Sequence, residues 1–297
     1  MGYMWQQHKR VIGLELGGLQ LGGVISPSIG NLSFLISLDL SNNSFGGTIP
    51  QEVGKLFRLE YLYMSSNVLR RGMPTSLSNC SRLLDLHLYT NPLGGGVPSE
   101  LGSLKKLVGN SCIFRKPYIT LIQLSLGGNN FEGALDNIGR LSQMTGLILT
   151  ANNFSGACPS AIYMSSLEYL NIFLNDFFGK QRPDLGNFLP KLRLLYIGKN
   201  DFTGSIPTTL ANISTLQELR MEFNSLTGSI PPSFGKQQNM QTLALHANYF
   251  GSYSDGDLRF FNALSNGTHL LSLSVGSNRL GGDLPSSIAN MSRTSPN

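Results

Sequence analysis

The sequence predicts an α/β repeat fold, a solenoid of short stacked coils with a parallel sheet along its concave face. Three observations predict it. First, residues 192–215 and 216–239 are two units of the same length, 24 residues, with one spelling. Leucine or a relative stands at places one, four, six and eleven, Asn at nine, and Gly-x-Ile-Pro at thirteen to sixteen. Self-similarity at such a period outranks any local reading of secondary structure. Second, the apolar residues at places four and six are two apart, so both point to one face of a short strand. Third, Asn, Gly and Pro cluster just beyond that strand, where the chain must turn.

Each residue type has a physical task within the unit, which is a leucine-rich repeat. The place-nine amide can donate to and accept from backbone groups of neighbouring coils, which a tightly wound interior would otherwise leave unpaired. Gly permits unusual backbone angles, and Pro fixes φ while giving up a donor. A single coil cannot bury its own leucines, so neighbours must stack into one elongated domain. The expected form is a right-handed superhelix with short 3-10 or irregular segments on its convex side.

Composition agrees with many leucine-filled coils joined by turns. Among 297 residues, 41% are hydrophobic, only 13% are charged, and Gly numbers 34. The net charge of +5 is spread over short basic pairs such as Lys9-Arg10, Arg70-Arg71 and Lys105-Lys106, without interleaved aromatics. That distribution argues against nucleic-acid binding. Cys80, Cys112 and Cys158 form neither a disulfide framework nor a zinc spacing. Cys158 takes the Ile place of Gly-x-Ile-Pro and Cys80 closes a coil, so both read as small buried hydrophobes. The first ten residues show no apolar h-region, and no run of eighteen apolar residues occurs. The expectation is a chain without signal peptide or membrane span, making no membrane contact of its own.

The coils can be taken in order. Residues 11–106 hold coils opening at Val11, Leu35, Leu59 and Leu83, the first with Leu19 at the Asn place. Residues 107–120 are a degenerate repeat, lacking the Asn and the Gly-x-Ile-Pro. Loss of ten residues from a coil explains them better than a ligand-binding island, since islands add residues to an intact coil. Residues 121–293 hold coils opening at Leu121, Met144, Leu167, Leu192, Leu216, Met240 and Leu270, and 294–297 are an uncapped tail. The structural ladder is Asn43, Asn67, Asn91, Asn129, Asn152, Asn175, Asn200, Asn224, Asn248 and Asn278. Arg71 replaces the usual Gly of its coil. The coil at Met240 carries an insertion with Tyr253, Asp255 and Asp257, in which Leu258, Phe260, Phe261 and Leu264 read as an amphipathic helical turn packed on the convex side.

Places three, five, seven and eight stand away from the leucines and make the concave face. The candidate partner-binding residues there are Tyr61, Tyr63, Asp85, His87, Tyr89, Tyr169, Phe173, Tyr196, Lys199, Glu218, Arg220, Glu222, Phe223 and His246. Aromatics and Arg are favoured as binding anchors, although strand propensity alone also enriches Tyr and Phe. Catalytic motifs, cofactor fingerprints and metal spacings are missing, and the Asp85/His87 pair lacks a nucleophile and oxyanion donors. Asn31, Asn42, Asn79, Asn153, Asn212, Asn266 and Asn290 open Asn-x-Ser/Thr sequons, candidate N-glycosylation sites.

The segments LDLSNNSFGGTIPQEVGKL, LYIGKNDFTGSIPTTLANIS and LSVGSNRLGGDLPSSIANMS carry a resemblance to the plant-specific class of leucine-rich repeats. The chain is similar to the ectodomain of plant receptor-like kinases. Its start, HKRVIGLELGGLQLGGVISPSIGNLSFL, and the insertion GSYSDGDLRFFNAL resemble in particular the immune subgroup that includes the elongation-factor-Tu receptor. Family members begin with a signal peptide and a cysteine-paired cap, of which residues 1–10 would be a remnant. They continue into further repeats, a membrane helix and a cytoplasmic Ser/Thr kinase. The resemblance implies a non-catalytic recognition module sensing a microbial elicitor, a peptide or protein, with a co-receptor ectodomain as a second partner at the outer side of the plasma membrane. Two other readings stand beside it. One is a soluble inhibitor of microbial cell-wall-degrading enzymes, whose paired terminal cysteines are missing here. The other is a truncated receptor product without independent function.

Overall fold

The computed structural model describes residues 10–104, 121–135, 138–157, 162–265 and 269–291. Each coil opens with a strand of three residues, such as Tyr61–Tyr63 or Leu194–Tyr196. The strand is short because place eight turns into the left-handed region in coil after coil, as at Ser66 (φ 55°), Lys199 (φ 49°) and Phe223 (φ 53°). Within Tyr61–Tyr63 the pleat sends Leu62 to full burial while both tyrosines stay half-buried on the opposite face.

Among the described residues eleven such strands pair in parallel, in chain order, from Gly13–Glu15 to Ser272–Ser274. The register is constant. Leu38 pairs with Leu62, Leu62 with Leu86, Leu147 with Leu170 and Leu195 with Leu219, so the place-four leucines form one column. Asp85–His87 pairs directly with Gln123–Ser125. The sheet therefore runs past the degenerate repeat at 107–120, which itself lies outside the described residues.

A second parallel sheet of seven strands follows the turn, from Gly94–Gly95 to Tyr249–Phe250, and Gly22–Val24 pairs with Ser44–Gly46 in a third. Behind the seven-stranded sheet Phe131, Phe154, Phe177 and Phe202, all fully buried, stack with ring centroids 6.2, 6.3 and 6.5 Å apart. Those spacings fall in the range of offset aromatic pairs. Place thirteen is Gly at positive φ in most coils, for example Gly204 (φ 81°). Arg71 holds the same conformation at φ 66° with its side chain exposed.

Between the strand and the convex side the ladder closes each turn. Asn200 Nδ2 donates to the carbonyls of Ile172 (3.0 Å), Ile197 (3.2 Å) and Gly198 (3.0 Å), and its Oδ1 accepts from Phe177 N at 3.0 Å. Asn43, Asn67, Asn91, Asn129, Asn152, Asn175, Asn224, Asn248 and Asn278 repeat the pattern of three donations. The first acceptor always lies one coil back, so each side chain ties two coils together.

The convex side is a row of 3-10 turns, among them Gln51–Lys55, Thr75–Asn79, Thr208–Asn212 and Pro232–Lys236, each preceded by a proline in extended conformation. The insertion after Met240 forms a 3-10 turn, Asp257–Arg259, and a helix, Phe260–Leu264, that buries Phe260, Phe261 and Leu264. The Asp257 carboxylate accepts from Ser252 N (2.9 Å), Ser254 N (3.0 Å), Ser254 Oγ (3.0 Å) and Gly281 N (3.2 Å). These bonds, that from Ser252 N foremost, hold its carboxyl below the usual carboxylate range. Asp257 therefore knits the insertion to the following coil.

Candidate ligand-binding face

The strand pleat and the left-handed turn together decide which side chains face outward on the concave side. Places three and five come from the strand, and places seven and eight from its exit. The candidate residues do not form one continuous ribbon. They gather into two clusters separated by the coils at Leu121 and Met144, which carry Gln123, Ser125, Gly127 and Gly128, and Gly146, Ile148, Thr150 and Ala151, at the same places. With strands ~4.8 Å apart, three spacings put the clusters about 14 Å from one another.

The first cluster is aromatic. Tyr63 and His87 lie with ring centroids 4.9 Å apart, and Tyr61 and Tyr89 flank them at 6.4 Å each. Tyr63 OH donates to Asp85 Oδ2 at 3.3 Å. Burial, with the Asp85 charge and that hydrogen bond behind it, pushes the Tyr63 hydroxyl up to about 12, so it stays a donor at any physiological pH. Burial also pulls His87 below its ordinary 6.5, with Asp85 partly opposing.

That lowered value carries a pH dependence. The unfolded chain takes up the His87 proton at higher pH than the folded one does. The folded state is therefore favoured above 6.5 and loses that contribution as pH falls below it. His87→Gln should flatten the fall in urea-unfolding midpoint between pH 7 and pH 5. An unchanged slope in the variant would show that His87 is not the group responsible.

The second cluster is mixed. Tyr196 OH donates to Glu218 Oε2 at 2.6 Å, and Arg220 Nε and Nη2 donate to the same oxygen at 3.2 and 3.0 Å. The Arg220 guanidinium also lies 5.0 Å from the centre of the Tyr196 ring. Burial would lower its pKa, but the Glu218 bond and the charges of Tyr196, Glu218 and Glu222 raise it overall. Burial, then Glu218, pushes Tyr196 up to about 12. Tyr169 is pinned by Arg193, whose Nη1 donates to its hydroxyl at 3.2 Å. Lys199 Nζ sits 5.7 Å from the Phe173 ring centre and 5.4 Å from that of Phe223. Phe223 meets His246 edge-on at 5.0 Å, and His246 Nδ1 shares a 3.0 Å hydrogen bond with Ser274 Oγ.

Thirteen of the fourteen candidates are exposed or half-exposed, and Glu222 is the exception at 7% exposure. Its Oε2 is occluded without a hydrogen-bond partner. Sequence reasoning also passed over Arg193 at place two. Its long side chain reaches the concave face from the edge of the strand, and that reach is the signal that could have found it.

The other side chains singled out in the sequence fall as follows. Asn31, Asn79, Asn212 and Asn290 are exposed and each is the last residue of a 3-10 turn. Asn42 and Asn153 are exposed beside the ladder, and Asn266 lies outside the described residues. Cys80 is fully buried, its Sγ donates to Val53 O at 3.4 Å, and burial pushes its thiol up to about 12. Cys112 and Cys158 lie outside the described residues.

A parallel sheet of three-residue strands, an Asn ladder and a row of 3-10 turns define a leucine-rich-repeat solenoid. The Leucine Rich Repeat family profile matches residues 34–56, 58–80, 215–237 and 269–291. The relatives of this chain are plant receptor-like kinases. Over 111 residues it is 50% identical to the Arabidopsis thaliana receptor-like protein kinase At3g47110, a match covering 37% of this chain and 11% of that protein. Over 52 residues it is 50% identical to the leucine-rich-repeat receptor-like serine/threonine-protein kinase EFR of Arabidopsis thaliana, 18% of this chain and 5% of that one. The matches thus span about a tenth or less of these relatives.

Among solved structures it is similar to the ectodomain of the Arabidopsis thaliana membrane receptor kinase GASSHO1/SCHENGEN3 in complex with CASPARIAN STRIP INTEGRITY FACTOR 2. The TM-score is 0.76 at 30% identity, covering 91% of this chain and 33% of that one. The plant peptide hormone receptor RGFR1 in complex with RGF2 matches with TM-score 0.58 at 27% identity, covering 94% and 50%. The repeats align with the folds of receptor ectodomains, which are binding modules and not catalytic domains. No helix among the described residues is long and apolar enough to cross a membrane.

Proposed function

We propose that this chain is a ligand-recognition segment of a plant immune receptor, which senses a microbial elicitor, a peptide or protein, through its concave face. A co-receptor ectodomain would be the second partner, and the outer side of the plasma membrane the place of action. The observation that carries the reading is the second concave cluster. Tyr196, Glu218 and Arg220 are locked together by hydrogen bonds while remaining half-exposed. Holding an anchor in place before a ligand arrives lowers the entropy cost of binding. The receptor complexes with peptide ligands among the structural neighbours support the same use of the fold. In this reading the exposed sequons carry glycans, residues 1–10 belong to a cap, and residues 11–106 and 121–293 flank an irregular repeat at 107–120.

The test combines Tyr63→Ala with Tyr196→Ala in the purified chain, with pull-downs against bacterial elicitor proteins and against pectin-degrading enzymes. Elicitor binding should weaken about 30-fold or more in the double variant, in keeping with two aromatic anchors, with an unchanged unfolding midpoint. Binding to the pectin-degrading enzymes alone would overturn the reading in favour of an inhibitor.

A further inference from the structure

At the edge where the chain enters the strands, one place changes its chemistry along the solenoid. In the later coils the residue just before the coil opening is short and polar and ties its coil to the one behind. Ser166 Oγ donates to Ser142 O (2.9 Å) and Met144 O (2.7 Å), and Thr215 Oγ1 to Pro190 O (3.3 Å) and Leu192 O (2.8 Å). Asn239 Nδ2 does the same to Ser214 O at 2.8 Å. In the first four coils that place holds Arg10, Phe34, Arg58 and Arg82. Among the described residues no side-chain hydrogen bond or salt bridge involves any of the three arginines. The tie between coils is therefore not what they supply.

Two of them share a ring. Arg10 and Arg58 stand in the rows on either side of Phe34, and their guanidinium carbons lie 4.0 and 4.4 Å from its ring centre. Contact with a phenyl face holds a guanidinium in place and leaves the N–H donors along its edge free. Both arginines are exposed. The protein shows at another site how such an edge is answered. Arg182 lies 4.3 Å from the Phe188 ring centre, and its Nε and Nη2 donate to Asp184 Oδ1 and Oδ2 at 3.0 and 2.9 Å. No carboxylate among the described residues does this for Arg10 or Arg58, and Glu60, two residues beyond Arg58, pairs with neither.

We infer that Arg10, Phe34 and Arg58 form a subsite for an acidic peptide segment with Asp or Glu at alternate positions. The inference rests on the peptide-recognition reading and names the ligand chemistry at one border of that face. Alternate side chains of an extended peptide point to one side and recur at about 6.7 Å. That spacing suits two guanidiniums converging on one ring. Each planar fork takes one carboxylate through two N–H donors, as Arg182 takes Asp184. Arg58 precedes Tyr61 by three residues, so the subsite adjoins the aromatic cluster of the concave face. Arg82, one row further, extends the positive edge.

The test uses an immobilised array of random 12-residue peptides probed with the wild-type chain, the double variant Arg10→Gln with Arg58→Gln, and Lys191→Gln. Peptides retained by the wild type should be enriched in Asp and Glu two positions apart. The double variant should bind the best of them about tenfold more weakly, the loss expected from two exposed ion pairs, and high salt should erase the difference. Lys191, exposed on the same edge before the coil at Leu192, is the control, and its variant should bind like the wild type. Urea unfolding of all three proteins checks that the fold is intact. Retention without acidic enrichment, or equal binding by the double variant, overturns the subsite and leaves the peptide-recognition reading standing. Capture of polygalacturonate as tightly as the best acidic peptide overturns the assignment to a peptide. Retention of no peptide by the wild type overturns both the subsite and the reading beneath it.

Discussion

Asn200→Leu should destabilise the solenoid by about 3–4 kcal/mol, at roughly 1 kcal/mol for each hydrogen bond lost. The side chains are close in volume, so the loss comes from hydrogen bonding. Three carbonyls, of Ile172, Ile197 and Gly198, lose their Asn200 donor, and Phe177 N loses its acceptor. Asn200 and its neighbours Ile172, Phe177, Ile197 and Phe202 are all buried, so water cannot replace the amide without opening the stack. Urea unfolding followed by circular dichroism measures the effect. Native-state hydrogen exchange should show it centred on the coils at Leu167 and Leu192, because each coil contacts mainly its neighbours. Asn278→Leu should cost less, since that residue is only partly buried. A loss below 1 kcal/mol at Asn200 would mean that the ladder is incidental to stability.

Gly235→Ala should cost about 3 kcal/mol, at the upper end of overpacking penalties. The Cβ would lie 2.9 Å from Ala263 Cβ and closer still to the Ala263 carbonyl. The obstacle is the backbone of helix Phe260–Leu264, which cannot yield as a side-chain tip can. The whole insertion would have to shift, taking Phe260 and Phe261 out of the core. Gly276→Ala is the control: nothing lies within 4 Å of its Cβ, so its effect should stay within about 1 kcal/mol. Comparison of unfolding midpoints decides the matter. Equal midpoints would show that the helix is free to move off the 3-10 turn Pro232–Lys236.

The fold was legible because its signals are local and recur. Leu62 and Met64 are two apart and both fully buried, while Tyr61 and Tyr63 alternate outward. The spacing of Leu258, Phe260, Phe261 and Leu264 foretold the turn and helix of the insertion. The site was less legible, because its details depend on neighbours in other coils. Place seven faces outward at Tyr89 and Phe173, yet at Glu222 the same place is buried, beside a preceding coil that carries only Gly198. The division into two clusters arises because the coils between them carry no aromatic or charged residue at these places, and a list of aromatic positions hides it. The direct pairing of Asp85–His87 with Gln123–Ser125 joins segments far apart in sequence, which a degenerate repeat between them gives no means of reading.

The leucine column has one more consequence. Successive coils open 23, 23, 25, 24, 24 and 30 residues apart, at Leu121, Met144, Leu167, Leu192, Leu216, Met240 and Leu270, yet every strand meets the next with place four opposite place four. Length differences are absorbed on the outer flank, and alignment is restored at each strand. Gain or removal of a whole coil would leave the joints on either side unchanged. The inner face can thus be rewritten one row at a time, and such a scaffold can acquire new specificities without learning to fold again.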